Sequence, residues 1–213
     1  MTDFPNNAFQ KQDFTDDSHF YSVPRKVVHI DASAIAAVTA LARELLPPGG
    51  AILDLMSSWR SHLPDDVSYA RVVGLGMNAA EMADNPQLDA YTVQNLNRQP
   101  ALPYDDAAFD GALCTVSVQY LQQPVAVFRE AARVLKPGAP FLVTFSNRCF
   151  PSKAVAIWLQ NGDAGHIALV ERYFVASGAW AGLQTRTKAA KRSLFGGEDP
   201  LFAVWAYASS NAE

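Results

Sequence analysis

Between Gly111 and Ser146 the chain reads as a buried strand, an amphipathic helix and a second buried strand, a succession that leaves few folds open. Gly111 to Val116 is short and apolar, with two β-branched residues at its end. From Val125 the apolar positions change to helical spacing, at Val127, Phe128, Ala131, Val134 and Leu135. Lys136-Pro137-Gly138 stops this helix: a basic residue suits the last turn, proline cannot continue the hydrogen bonding, and glycine permits the turn. Pro140 to Ser146 is the second strand. Two strands joined by a crossover helix run parallel, so their carboxyl ends share one edge of the sheet, where Tyr120, Asn147 and Arg148 are expected.

The remaining elements fit around this unit. Asp31 or Ser33 can cap a helix with an apolar face of Ile35, Val38, Leu41, Ala42 and Leu45, stopped by Pro47-Pro48-Gly49-Gly50. Strands are predicted at Ala51 to Leu55, Arg71 to Leu75 and Ala90 to Val93, with a short helix opening at Gly76-Met77-Asn78 and running through Met82. Helices are predicted at Ser152 to Leu159 and His166 to Ser177, the latter ended by Gly178. The last two strands are predicted at Leu183 to Ala189 and Leu201 to Ala208, joined by a loop containing Gly196-Gly197. Arg186, Lys188, Lys191 and Arg192 form a basic cluster that suits either an anionic substrate or, in the preferred reading, an edge strand protected from pairing. Met1 to Ser18 is polar and expected to be irregular or frayed. His19 to Asp31 is denser in aromatic and ionisable side chains, and reads as a surface arm or as a lid over a substrate pocket.

A chain of 213 residues, 49% hydrophobic and 18% charged, can bury the core of one α/β domain. The net charge of -4 disfavours nucleic acid and anionic membrane as partners. No apolar run reaches the roughly 20 residues of a membrane span, and no apolar core follows a basic start, so a cytoplasmic location is expected. Cys114 and Cys149 have neither zinc-type spacing nor a disulfide framework; they are expected to pack in the core, and no metal is expected. The chain lacks G-x-S-x-G, H-E-x-x-H, a phosphate loop with G-K-[ST] and an early G-x-G-x-x-G, which argues against hydrolase, zinc protease, nucleotidase and nicotinamide chemistry.

Leu102-Pro103-Tyr104 followed by Ala108-Phe109-Asp110, a strand, and then Arg133-Val134-Leu135-Lys136-Pro137-Gly138 resembles the second half of a class I S-adenosylmethionine-dependent methyltransferase of the small-molecule type. The resemblance runs from about Ile35 to the end of the chain. It implies an α/β, Rossmann-like, doubly wound and mostly parallel seven-stranded sheet with a C-terminal antiparallel hairpin. It divides the chain into an N-terminal arm or lid, residues 1–34, and a methyltransferase-like domain, residues 35–213. The implied cofactor is S-adenosylmethionine and the implied acceptor a small molecule; oligomeric state is left open.

Carried over residue by residue, the resemblance assigns a cofactor site. Asp54 matches the acidic residue at the end of the first strand, where it could accept from the cofactor's amino group or anchor the loop through backbone N–H groups. The three glycine positions that follow carry Met56, Ser58 and Arg60 instead. Ser57 and Ser58 are small donors, Arg60 could pair with the cofactor's carboxylate, and Trp59 is large enough to fill a pocket itself. Gly76 stands where the family has an acidic ribose ligand; Asn78 or Glu81 could substitute, or could simply cap the following helix. Asn95 and Leu96 match the pair that holds adenine. Asp105 and Asp106 read as solvated turn residues. Arg25, Asn147 and Arg148 are candidate substrate contacts. If the acceptor needs a base, His29 is the first candidate and Tyr21 and Tyr120 the next. Tyr21, Arg25 and His29 are expected at the pocket mouth, above the carboxyl ends of the first and fourth strands. The alternative is a catalytically silent methyltransferase-like binding or interaction module, its cofactor loop filled by Met56, Trp59 and Arg60.

Overall fold

A computed structural model of the chain describes residues 4–190, 192–193 and 196–210. In chain order the elements are α1 (Asp17–Phe20), α2 (Ala32–Leu45), β1 (Ala51–Leu55), β2 (Arg71–Gly76), α3 (Ala79–Ala83), β3 (Ala90–Val93), β4 (Gly111–Thr115), a 3-10 turn (Val118–Tyr120), α4 (Pro124–Val134), β5 (Pro140–Phe145), α5 (Ala156–Leu159), α6 (Asp163–Ser177), β6 (Trp180–Lys188), β7 (Arg192–Ser193), β8 (Gly196–Gly197) and β9 (Leu201–Ala208). Seven strands form one sheet in the order β3-β2-β1-β4-β5-β9-β6. The first five are parallel; β9 runs antiparallel to both β5 and β6. This is the expected α/β class, sheet and hairpin.

Alternation along the buried strands divides the core between the two faces. Leu53, Leu55, Val73, Leu75, Phe141 and Val143 join α4 and α6, while Ile52, Val72, Leu113 and Leu142 join α2. Strand order reverses between β1 and β4, because the chain winds outward through β2 and β3 and then returns to the other side of β1. Ligands of open α/β sheets sit outside the carboxyl ends of the strands at such a reversal.

The two motifs behind the resemblance have a structural explanation. Arg133 on α4 donates to the carbonyls of Leu102 and Tyr104, both at 2.9 Å, and pairs with Asp106 and Glu130. Asp110 accepts from Ala51 N at 2.9 Å and from Lys136 Nζ at 2.6 Å. The LPY-to-FD segment and the RVLKPG segment therefore fasten each other and the start of β1, on the side of the sheet away from the strand carboxyl ends.

Several boundaries differ from the sequence reading. Residues 4–18 are not frayed: Lys11 and Asp17 are buried and pair at 2.6 Å, and the fully buried Lys153 reaches Asp13 at 2.8 Å and Asp17 at 3.5 Å. Phe4 and Phe9 pack against Tyr173. This fastening also explains why the helix expected from Ser152 begins only at Ala156: Lys153 is committed to the ion cluster, and Ala156 N donates to Gln10 O at 2.7 Å. α2 begins at Ala32, capped by the Asp31 carboxylate, so the expected division at 34/35 falls inside a helix. β6 begins at Trp180 rather than Leu183 because Gly182, at φ 63°, carries a bulge that interrupts the alternation. The expected terminal loop contains the small β7–β8 ribbon. Within the basic cluster Arg186 pairs with Glu44 and Lys188 with Glu198, while Lys191 and the side chain of Arg192 lie outside the described residues.

His166 at the start of α6 stacks on Trp158 of α5, centroids 4.0 Å apart and planes 6° apart, and its Nε2 lies 2.9 Å from Trp158 O. Burial lowers its pKa, so it is held neutral. Its contribution to stability is full above the ordinary 6.5 and is lost as the pH falls from there towards the depressed folded value. A His166→Gln variant is expected to show a flatter decline of Tm than the wild type between pH 7.5 and 5.5. Parallel declines would refute the assignment.

Candidate functional site

A cavity opens at the carboxyl ends of β1 to β4, with about 120 Å³ of it accessible to the centre of a water molecule. Each of the four strands contributes the loop that follows it: Met56 to Ser58 after β1, Met77 and Asn78 after β2, Gln94 to Asn97 after β3, and Val116 and Ser117 after β4. The arm roofs it with Tyr21, Arg25 and His29, and Tyr120 and Phe150 close one side.

The loop after β1 keeps the backbone shape of a glycine loop without the glycines. Met56, at the first glycine position, has φ 59°, a left-handed conformation that costs side-chain-bearing residues of order 1–3 kcal/mol. Val116 after β4 has φ 46°, a conformation that β-branched residues strongly avoid. Both line the cavity, so the backbone is strained on its two central walls. Asp54 lies beneath the loop, outside the lining of this cavity. It is buried, and its Oδ2 accepts from Ser57 Oγ and Ser61 Oγ, each at 2.6 Å. The loop is thus anchored through seryl hydroxyls rather than backbone N–H groups. Burial pushes the Asp54 carboxyl up to about 6, against the two hydroxyl bonds that lower it. Asn85 Nδ2 completes the anchor by donating to Ser61 Oγ and Ser58 O, both at 2.9 Å.

Gly76 explains why the family's acidic residue is missing from the end of β2. A Cβ there would lie 2.2 Å from Ser57 O, because the loop folds directly onto the strand end. A carboxylate reaches the same region from α3 instead: Glu81 lines the cavity, accepting from Arg25 N and from Ser58 Oγ, both at 2.6 Å. Asn78 caps α3 through Oδ1 and donates from Nδ2 to Tyr21 O at 2.8 Å. Both groups therefore hold the arm closed. Each carboxylate oxygen has two acceptor sites, so Glu81 retains capacity beyond these two bonds.

The structure brings Tyr21, Arg25, His29, Ser57, Ser58, Asn78, Asn95, Leu96 and Tyr120 to the cavity and leaves others outside it. Arg60 lies over the Trp59 ring at 4.1 Å and donates to Trp59 O, so it faces away from the cavity. Asn147 and Arg148 are exposed beyond β5, with Arg148 paired to Asp199 at 2.9 Å; neither lines the cavity, because the chain turns outward after Ser146. Tyr120 is pushed up to about 12 by burial and accepts from Phe150 N at 2.9 Å, which makes it a wall rather than a base. Burial also raises the Tyr21 pKa well beyond the ordinary phenol range. Burial and the nearby Arg25 lower that of His29, despite an opposing pull from Glu81, leaving a neutral imidazole at pH 7.

Sequence reasoning missed Asp17, Asn97, Thr115 to Ser117 and Phe150 as lining residues. Asp17 gave no local signal, because its burial depends on the distant Lys153. Thr115 to Ser117 follow β4 directly, so the rule of strand carboxyl ends at the reversal point could have found them. Among the described residues no cluster of acidic, histidine and cysteine side chains is arranged to hold a metal, and no helix is long and apolar enough to cross a membrane.

Residues 59–143 match the family model of a methyltransferase domain. No curated protein matches the chain. Among solved structures, it is similar to the complex of the Haloferax volcanii Trm112 methyltransferase activator with a chain described as a methyltransferase, with TM-score 0.58, 16% identity, and 85% of this chain and 92% of that one covered. It is also similar to Haemonchus contortus phosphoethanolamine N-methyltransferase 2 in complex with phosphomonomethylethanolamine and S-adenosylhomocysteine, with TM-score 0.58, 12% identity, and 84% and 53% covered. A third, the [4+2]-cyclase SpnF, has TM-score 0.51 and 20% identity, with 70% and 60% covered. The chain therefore has a methyltransferase-like α/β fold, and the matched segment within it is similar to a methyltransferase domain. That one neighbour of this fold is a cyclase underlines that the reaction must be argued from the site.

Proposed function

We propose that the chain binds S-adenosylmethionine in the cavity at the ends of β1 to β4 and transfers its methyl group to a small molecule. One observation carries the reading: loops from all four strands meet at the reversal of strand order and enclose a mixed apolar and hydrogen-bonding cavity under an aromatic arm. Glu81 would accept from the ribose hydroxyls in place of the absent acid at Gly76, and Asn95 with Leu96 would hold the adenine. Ser57, Ser58 and Ser117 stand near the expected methionine end; their hydroxyl protons go to Asp54, Glu81 and Thr115 O, so their lone pairs would accept from the cofactor's amino group. Bound here, the cofactor supplies a methyl group already activated on a sulfonium. The protein's share is to align the acceptor and exclude water. Tyr21, Tyr120 and Phe150 wall the cavity for that purpose, and the neutral His29 is available to take a proton. The cytoplasm is the proposed setting, consistent with two free cysteines.

The silent-module reading also has an observation in its favour. Glu81 and Asn78 are engaged by the arm and Arg60 by Trp59, so a cofactor must share or displace those bonds. Product formation separates the two readings. Incubated with S-adenosylmethionine and a small-molecule extract, the protein is expected to release S-adenosylhomocysteine and a product heavier by one methylene; Glu81→Gln should require about tenfold more cofactor for the same rate, the size of one charge-assisted bond. Cofactor binding without turnover over a broad extract would favour the module.

A further inference from the structure

Asp17, Arg25 and Glu81 are the charged side chains that line the main cavity, and two of them are matched within the protein. Asp17 pairs with Lys11 at 2.6 Å and with Lys153 at 3.5 Å. Glu81 accepts from Arg25 N and Ser58 Oγ, both at 2.6 Å. Arg25 is not matched. Its guanidinium is half-buried, lies 4.0 Å from the Phe20 ring centroid and donates from Nη1 to Phe20 O; among the described residues no carboxylate oxygen lies within 4 Å of it, and Nε and Nη2 have no acceptor. A guanidinium stacked on a ring keeps its edge free, and that edge fits a carboxylate through two parallel bonds.

The charge has a definite place in the cavity. The Arg25 backbone sits at Glu81, but its side chain runs back along the arm to Phe20. Phe20 meets Phe150 with centroids 5.4 Å apart, and Phe150 in turn lies against Tyr120 at 6.3 Å and His29 at 5.2 Å. Arg25 therefore belongs to the aromatic end of the cavity, which the proposed adenine and ribose positions at Asn95, Leu96 and Glu81 leave to the acceptor.

We propose that Arg25 binds a carboxylate of the methyl acceptor, and that the acceptor is a small aromatic acid. The proposal rests on the methyltransferase reading above. A carboxylate brings one negative charge and the planar pair of oxygens that the free guanidinium edge accommodates. Its ring packs on Phe150 and Tyr120. A phosphate dianion would lack a second cation, since Lys11 and Lys153 are committed to aspartates. An ammonium would be repelled by Arg25, and an uncharged acceptor would leave it unmatched. The neutral His29 adds no charge at this end.

The test uses benzoate, benzyl alcohol, benzylamine and phenyl phosphate as probes on the full chain saturated with S-adenosylhomocysteine, reading the His29 imidazole resonances by NMR. Benzoate is expected to bind about tenfold more tightly than each of the others, the size of one charge-assisted interaction. Arg25→Met should remove that advantage and leave benzyl alcohol unchanged, while Arg25→Lys should keep part of it. Both variants retain the backbone N–H that donates to Glu81, so the arm stays fastened. Equal binding of benzoate and benzyl alcohol would overturn the proposal, as would phenyl phosphate binding most tightly or a benzoate preference that survives Arg25→Met. The cofactor's own carboxylate is the other possible source of the anion. If Arg25→Met weakens S-adenosylhomocysteine about tenfold, spares 5′-methylthioadenosine, which lacks that carboxylate, and keeps the benzoate preference, the guanidinium serves the cofactor and the proposal falls. If the wild type ignores S-adenosylhomocysteine yet prefers benzoate through Arg25, the carboxylate site stands and the methyltransferase reading falls.

Discussion

Asp54→Asn is expected to raise stability at pH 7.5 by about 2 kcal/mol, or a Tm increase of about 4–8 °C for a domain of this size. The cause is the burial of a charge. The Asp54 carboxyl is raised from the ordinary 3.8 to about 6 because desolvation outweighs the two seryl hydroxyls. A group raised in the folded state favours folding fully below its unfolded value, and that contribution is lost as the pH climbs through the folded one. About two pKa units correspond to roughly 3 kcal/mol withheld from the fold at neutral pH. Asparagine avoids this, since its carbonyl can accept the same two hydroxyls, but as a neutral acceptor it holds them less strongly, at a cost of about 1 kcal/mol. The gain should therefore shrink as the pH is lowered from 7.5 to 4, where the wild type regains its stability. A variant less stable than the wild type at pH 7.5, or a difference that does not change with pH, would show that Asp54 is a structural anchor whose charge is tolerated without strain.

Gly76→Ala should act in the opposite direction, at a cost of at least about 3 kcal/mol and a Tm drop of about 6–12 °C. Its Cβ would meet Ser57 O at 2.2 Å and Met82 Sδ at 3.0 Å. The sulfur could swing away, but the carbonyl could not. Ser57 N donates to Leu75 O at 2.8 Å, and Gln94 N to Gly76 O at 2.8 Å, so both sides of the contact are fixed by backbone bonds. Gly76→Asp, which would restore the family's acidic residue, should be worse still. Gly162→Ala is the control: nothing lies within 4 Å of the Cβ position, and a change under about 0.5 kcal/mol is expected there. If Gly76→Ala matched that control, the loop after β1 would have to be mobile enough to lift away from β2. The cavity would then have a different shape from the one described.

These two positions also show what the sequence made legible. The strand and helix order was readable because buried parallel strands and an amphipathic α4 carry strong periodic signals, and because Arg133 and Asp110 recur in a recognisable frame. The exchange of Gly76 for an acid was visible too, but its reason was not. It lies in the close approach of Ser57 O, which depends on how the connection between β1 and β2 folds rather than on any pattern within it. From the sequence Asn78 and Glu81 read alike, as substitutes for the acid or as helix caps, and the structure lines the cavity with both. The order of the N-terminal segment is not legible because its polar composition argues for fraying, while the buried Lys153, distant in sequence, pairs with two of its aspartates, Asp13 and Asp17. Asn147 and Arg148 were placed correctly at the carboxyl edge of β5, yet one outward turn takes them away from the cavity.

Isothermal titration of the full chain with S-adenosylhomocysteine, and then with S-adenosylmethionine, tests the central claim most directly. A single-site heat with Kd in the micromolar range, about 7–8 kcal/mol of binding, is expected, together with slowed amide exchange across residues 21–29 as the ligand adds contacts to the arm. No heat up to about 1 mM ligand, corresponding to less than some 4 kcal/mol, would contradict it and leave a methyltransferase fold whose cavity serves another ligand.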